Sequence, residues 1–176
     1  MNTFYQMEPD RYVSHKLYRD VAGEHNEQAV KEALKNDGGY YRTEQMGNDD
    51  ENAADLNRIW DAGQNITSIY SSAYNSEYQT FRQKTFGLEE PFRNLMMQSV
   101  SKNPVFCRMM GVRYIVSDSD VTGYALVKKC EKTGIYQNND AAPVMYATDR
   151  VMTEKEYNKL AFPYNQTAFL EYAVVG

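Results

Sequence analysis

The sequence predicts an α+β fold, a mixed or largely antiparallel sheet with several helices packed on it. Three observations carry that reading. The stretch NPVFCRMMGVRYIVSD (103–118) reads as a short helix feeding directly into a buried strand. Downstream, YALVKKCEKTGIYQNN (124–139) has the alternation and central turn of a hairpin that can lie beside that strand. Around them, segments with helical spacing carry recognisable start and stop residues. A chain of 176 residues, 42% hydrophobic and 24% charged, suits one soluble domain spanning 1–176, and a mean hydropathy of -0.70 does not remove the apolar content a core needs.

Taken in order, residues 1–24 space their apolar side chains too loosely for an element and read as an arm with one helical turn at most. NEQAVKEALKNDGG (26–39) places Val30, Ala33 and Leu34 on one face and ends in a strong stop signal, so a surface helix with a narrow buried stripe is expected. GYYRTEQ (39–45) has strand composition. The following block collects Asp49, Asp50, Glu51 and Asp55, yet lacks the turn glycine and terminal glutamate of a calcium loop, and reads as a solvated acidic loop. Trp60 follows, then a turn at 61–65. ITSIYSS (66–72) reads as a strand from its β-branched and aromatic content. Asn75 or Ser76 caps the next helix, in which Tyr78, Phe81, Arg82 and Phe86 share a face and Gly87 supplies the stop. A third helix is expected over 92–100, and the methionines around it, Met96, Met97, Met109 and Met110, read as adaptable core filling.

In the 103–118 stretch, Asn103 can cap, Pro104 suits the first helical position because its missing N–H has no partner there, and Gly111 can take a left-handed stop. Beyond the glycine, Val112, Tyr114 and Val116 alternate with Arg113, Ile115 and Ser117. SDSDVTG (117–123) reads as a turn. The hairpin is expected as strands 124–130 and 135–137 about a turn at 132–134, followed by a strand over 144–148 after Pro143. Thr153 and Glu156 form a capping box opening a helix to about Leu160, and the tail opens as a helix near Gln166.

Chemistry is sparse. A net charge of -5 with a pI near 5.1 and no local basic cluster argues against nucleic acid as a partner. Cys107 and Cys130 have neither CxxC spacing nor a nearby histidine, so no zinc site is expected. Both read as free and partly buried thiols, with a single disulfide between them as the alternative. His15 and His25 stand in polar surroundings, and no nucleophile elbow, HExxH helix or glycine-rich phosphate loop is present. No catalytic residue, metal ligand or cofactor is assigned. Fifteen tyrosines against seven phenylalanines and one tryptophan supply rings with a polar tip, suited to strands or to a sugar-contacting surface. No apolar run approaches the roughly 20 residues that span a bilayer, and the first residues lack a basic start followed by an apolar core.

Read as a set, GYYRTE (39–44), ITSIYSSAYNSEY (66–78), MGVRYIVSD (110–118), IYQNNDAAPVMYATD (135–149), TEKEYNKL (153–160) and NQTAFLEYAVV (165–175) resemble, in order, the extracytoplasmic part of YfhO-type bacterial membrane proteins. The resemblance implies a polytopic membrane glycosyltransferase of the polyprenyl-phosphate-sugar type that decorates envelope polymers such as teichoic acids. It implies further that this chain is an excised domain on the extracytoplasmic face of the membrane. The apolar ending at Val175 fits a cut shortly before a membrane segment. No complete active site is then expected here, and the partners are the membrane-embedded remainder of the polypeptide and envelope glycopolymer. A free-standing carbohydrate-binding or structural module is the alternative, motivated by Trp60 and the tyrosines. The binding candidates in or beside the matched blocks are Arg42, Trp60, Asp61, Tyr74 and Asn75, of which Arg42 could equally pair with a carboxylate and Asn75 cap a helix.

Overall fold

A computed structural model describes residues 14–15, 31–46, 65–67, 75–87, 102–130 and 133–176. Six strands are described: β1 (Arg42–Met46), β2 (Val112–Ser117), β3 (Ala125–Cys130), β4 (Thr133–Gln137), β5 (Val151–Thr153) and β6 (Ala173–Val175). Four short helices accompany them: α1 (Ser76–Phe86), α2 (Pro104–Met109), α3 (Glu154–Tyr157) and α4 (Tyr164–Thr167), the last running into a 3-10 turn at Ala168–Leu170. Residues 31–34 are helical as well. The main sheet has the order β1-β2-β4-β3; β1 runs parallel to β2, whereas β4 is antiparallel to both β2 and β3. The fold is therefore α+β with a mixed sheet, as the sequence predicts.

The helix that leads into β2 forms for the reasons its sequence states. Asn103 Oδ1 accepts from the Val105 and Phe106 N–H groups at 2.9 and 3.1 Å, and Pro104 occupies the first turn. Gly111 turns the chain at φ 65°, and the site is crowded as well: a Cβ there would lie 2.9 Å from Val144 Cγ2 and 3.0 Å from the Ala142 carbonyl oxygen. β2 is buried along almost its whole length because it is an interior strand with α2, through Cys107, on one face and Leu34 on the other.

One register detail corrects the simple alternation. Arg42 pairs with Val112 but Thr43 pairs with Tyr114, so Arg113 is an extra residue bulged out of the β1–β2 ladder. The bulge flips the face of everything before it. Tyr114 and Val116 pack with Leu34 and Ile135, whereas Val112 joins Ile115 and Cys107 on the opposite side.

Three further expectations change. Ile66 and Thr67 lie outside any strand, because the backbone of Thr67 is engaged by side chains: its N–H donates to the Glu44 carboxylate and its carbonyl accepts from Arg82 Nη1 at 3.0 Å. Residues 144–148 form no strand either; ladder pairing in this ribbon starts only at Val151, opposite Ala173, and Tyr146 and Thr148 use side-chain hydroxyls to hold the Phe169 and Glu171 carbonyls. The capping box at Thr153 and Glu156 is present, but α3 stops at Tyr157 and continues as turns to Leu160. The arm apart from residues 14–15, residues 26–30 of the expected surface helix, the acidic block, residues 68–72 of the expected strand, and the expected helix at 92–100 lie outside the described residues.

Candidate functional site

Two polar clusters stand out, one interior and one at the surface. The interior cluster forms where Glu44 of β1 and Arg82 of α1 meet at Thr67. Arg82 is fully buried, with its guanidinium 5.8 Å from the Tyr78 ring centroid and 5.6 Å from that of Phe106. Glu44, also buried, and Arg82 grip the N–H and the carbonyl of the same residue, Thr67. Burial raises the Tyr78 hydroxyl above its ordinary pKa, with Arg82 opposing and Glu44 reinforcing the shift. Both charges are sealed from solvent and fix a loop to a helix, so the cluster organises the fold.

The surface cluster sits at the head of β1. NDGG ends the preceding helix: Asp37 N–H donates to the Leu34 carbonyl at 2.9 Å, and the Asp37 carboxylate accepts from the Gly39 N–H at 3.1 Å. That carboxylate also receives Arg113 Nη1 at 2.9 Å and the Tyr114 hydroxyl at 2.8 Å. The bulge at Arg113 is what lets adjacent residues of β2 converge on one acid. Arg113 then lies over the Tyr41 ring at 5.1 Å, and Tyr41 meets Tyr114 edge to face, with ring centroids also 5.1 Å apart. Glycine at position 39 makes room, since a Cβ there would come within 3.0 Å of Arg113 Nη1.

Electrostatics follow the geometry. Burial alone would raise the Asp37 carboxyl, but the hydrogen bonds from Tyr114, Arg113 and the Gly39 N–H together hold it below the ordinary carboxylate value. The Tyr114 hydroxyl is pushed up to about 12, by burial first and then by its bond to Asp37 and that residue's charge. Beside this locked core Tyr40 projects outward, 65% exposed, with its hydroxyl 3.5 Å from Asn65 Oδ1. Asn65 is itself held by donating Nδ2 to the Tyr41 carbonyl at 3.2 Å. The result is an exposed ring with its hydroxyl near a fixed amide, three residues along the chain from a partly buried carboxylate–guanidinium pair.

Of the residues chosen from sequence, Arg42 lies in β1 next to this cluster, but its guanidinium donates to the Met110 carbonyl at the end of α2. Asn75 caps α1, accepting from the Tyr78 N–H at 2.8 Å. Trp60, Asp61 and Tyr74 lie outside the described residues. Sequence reasoning missed Asp37, Tyr40, Asn65 and Arg113. The available signal was an arginine inside an otherwise apolar strand, VRYIV, which needs an acid nearby. Cys107 and Cys130 are not disulfide-bonded; burial pushes the Cys107 thiol up to about 11, against a hydrogen bond with Tyr124 that lowers it. Among the described residues no group of three or more His, Cys, Asp or Glu side chains could hold a metal ion, and no helix is long and apolar enough to cross a membrane.

The family model described as "Bacterial membrane protein YfhO" matches residues 1–176. No curated protein and no solved structure matches.

Proposed function

The chain belongs to the YfhO family of bacterial membrane proteins, and from that membership we propose that it is an extracytoplasmic accessory domain of a polyprenyl-phosphate-sugar-dependent, glycosyltransferase-like membrane protein. In this reading the membrane-embedded remainder of the polypeptide carries the reaction. An acceptor hydroxyl attacks the sugar's anomeric carbon, its proton passes to a base in the membrane part, the bond to phosphate breaks, and polyprenyl phosphate leaves. The domain's task is to hold the acceptor, an envelope glycopolymer such as a teichoic acid, where the sugar is delivered.

The observation that carries the acceptor-holding role is Tyr40. A 65% exposed ring with its hydroxyl 3.5 Å from the fixed Asn65 amide offers the two things a sugar needs, a flat apolar face and a planar donor and acceptor group. The Asp37–Arg113 pair nearby in the chain is already satisfied internally, so it presents fixed polar edges rather than mobile charges. The ordered motif resemblance supports the extracytoplasmic placement.

Titration of the 176-residue chain with purified wall polymer tests the binding step. Tyr40→Ala is expected to weaken binding about tenfold, a loss of about 1.4 kcal/mol, in keeping with one stacking contact. Equal affinity of the two chains would remove Tyr40 from the site. No binding by either would remove the acceptor-holding role.

A further inference from the structure

Nine large hydrophobic side chains are exposed among the described residues, and six of them fall within residues 145–175: Met145, Tyr146, Val151, Phe162, Tyr164 and Val175. The segments that carry them are tied to one another. β5 and β6 pair in parallel with Val151 opposite Ala173 and Thr153 opposite Val175, so these four side chains share the outer face while Met152 and Val174 turn inward and are half-buried. Upstream the same two segments are tied by the Tyr146 hydroxyl to the Phe169 carbonyl, by Thr148 Oγ1 to the Glu171 carbonyl at 2.7 Å, and by the Ala173 N–H to the Arg150 carbonyl at 2.9 Å.

Phe162 and Tyr164, 74% and 68% exposed, stand at the turn that opens α4. Their mount is fixed from beneath. Gln166 donates to the Thr85 carbonyl at 2.9 Å and accepts from Asn103 Nδ2 at 3.0 Å, and the Phe169 ring packs on Phe81 and Tyr157. These rings are therefore not loose ends that could fold inward.

The geometry points to a phospholipid bilayer as what covers this surface, with Phe162, Tyr164 and the outer face of β5–β6 seated at the boundary between headgroups and acyl chains. Family membership puts a membrane beside the chain. The side chains are of the kinds that partition to that boundary, rings with a polar tip or edge alongside valine and methionine. Charge agrees. Residues 144–176 carry Asp149, Glu154, Glu156 and Glu171 against Arg150, Lys155 and Lys159, a net of -1, and Arg150 is already paired with Glu171 at 2.7 Å. Nothing there repels an anionic surface strongly or selects an ionic partner, so apolar insertion sets the affinity. The inference rests on family membership and not on sugar transfer, so either can fail alone.

Flotation of the 176-residue chain with vesicles of phosphatidylcholine, alone or mixed with phosphatidylglycerol, tests it. The chain is expected to float with both compositions. Phe162→Ser with Tyr164→Ser should lower the partition coefficient about tenfold or more, as two inserted rings require. Val151→Ser with Val175→Ser should lower it as well, while Leu126→Ser, on an exposed strand elsewhere, leaves it unchanged; near-UV circular dichroism confirms that each variant is folded. Failure of the parent chain to float, or undiminished flotation of both double variants, would overturn the inference. So would a concentration-dependent dimer, seen by sedimentation without vesicles and abolished by the same substitutions, because the face would then belong to a second copy.

Discussion

Replacing Arg82 with methionine tests whether the interior charge cluster holds the fold, because methionine keeps much of the volume and removes the guanidinium. The side chain is fully buried, donates to the Thr67 carbonyl at 3.0 Å and lies within 6 Å of two ring centroids. Loss of a charged hydrogen bond costs about 1.5–3 kcal/mol, and loss of the cation–π contacts about 1 kcal/mol more. Glu44 then stays buried at the other end of the same residue with less positive charge around it, which brings the total to about 3–5 kcal/mol. Against the roughly 5–15 kcal/mol that stabilises an ordinary domain, that is a large fraction. At about 2–4 °C per kcal/mol for a chain of this size, the melting temperature should fall by about 6–20 °C. Urea unfolding followed by circular dichroism measures it. Adding Glu44→Gln to Arg82→Met should recover part of the loss, since the stranded charge disappears. A single variant within 1 kcal/mol of the parent, or a double variant no better than the sum of the singles, would refute the reasoning.

Other expectations follow from single contacts. Asn103→Ala removes a cap that takes two N–H groups and a link to Gln166, and should cost about 2 kcal/mol by urea unfolding, more than Asn75→Ala, whose exposed oxygen takes one N–H at about 1 kcal/mol. Gly111→Ala meets both a left-handed φ and two atoms within about 3.0 Å, whereas Gly123→Ala meets only the φ, with nothing within 4 Å; the first should be clearly the more destabilising. Because the folded Asp37 carboxyl titrates below its unfolded value of 3.8, its stabilisation is complete above that range and is lost as pH falls through the folded value; Asp37→Asn should flatten this acid limb in denaturation measured from pH 7 down to about 2. The Tyr114 hydroxyl has the opposite sign, raised from 10 to about 12, so its contribution is present below pH 10 and lost between 10 and 12; Tyr114→Phe should remove that part of the alkaline dependence, followed by tyrosinate absorbance.

The elements specified by local chemistry were legible in the sequence. Asn75 with Gly87, Asn103 with Pro104, and Thr153 with Glu156 mark their helices because each satisfies backbone groups within a turn of itself. What local chemistry could not show was settled by partners far along the chain. Thr67 has strand composition but gives its backbone to Glu44 and Arg82, and Val112 changes face because Arg113 bulges to reach Asp37. β5 and β6 both went unforeseen because strands of three residues form only by pairing with each other across the chain. The candidate site was hidden for the same reason. Asp37 reads as part of a helix stop and Arg113 as an odd charge in a strand, and only the parallel pairing of β1 with β2 brings them together against the Tyr41 ring.

The central claim, that this domain serves sugar transfer to an envelope polymer, is tested most directly in the bacterium that carries the protein. Tyr40→Ala is placed in the full-length gene, and sugar per phosphate is measured in purified wall polymer, with membrane abundance of the protein checked by immunoblot. The account predicts a severalfold drop in polymer-linked sugar at unchanged protein level. Undiminished sugar, both in this strain and in one from which the gene is deleted, would contradict it.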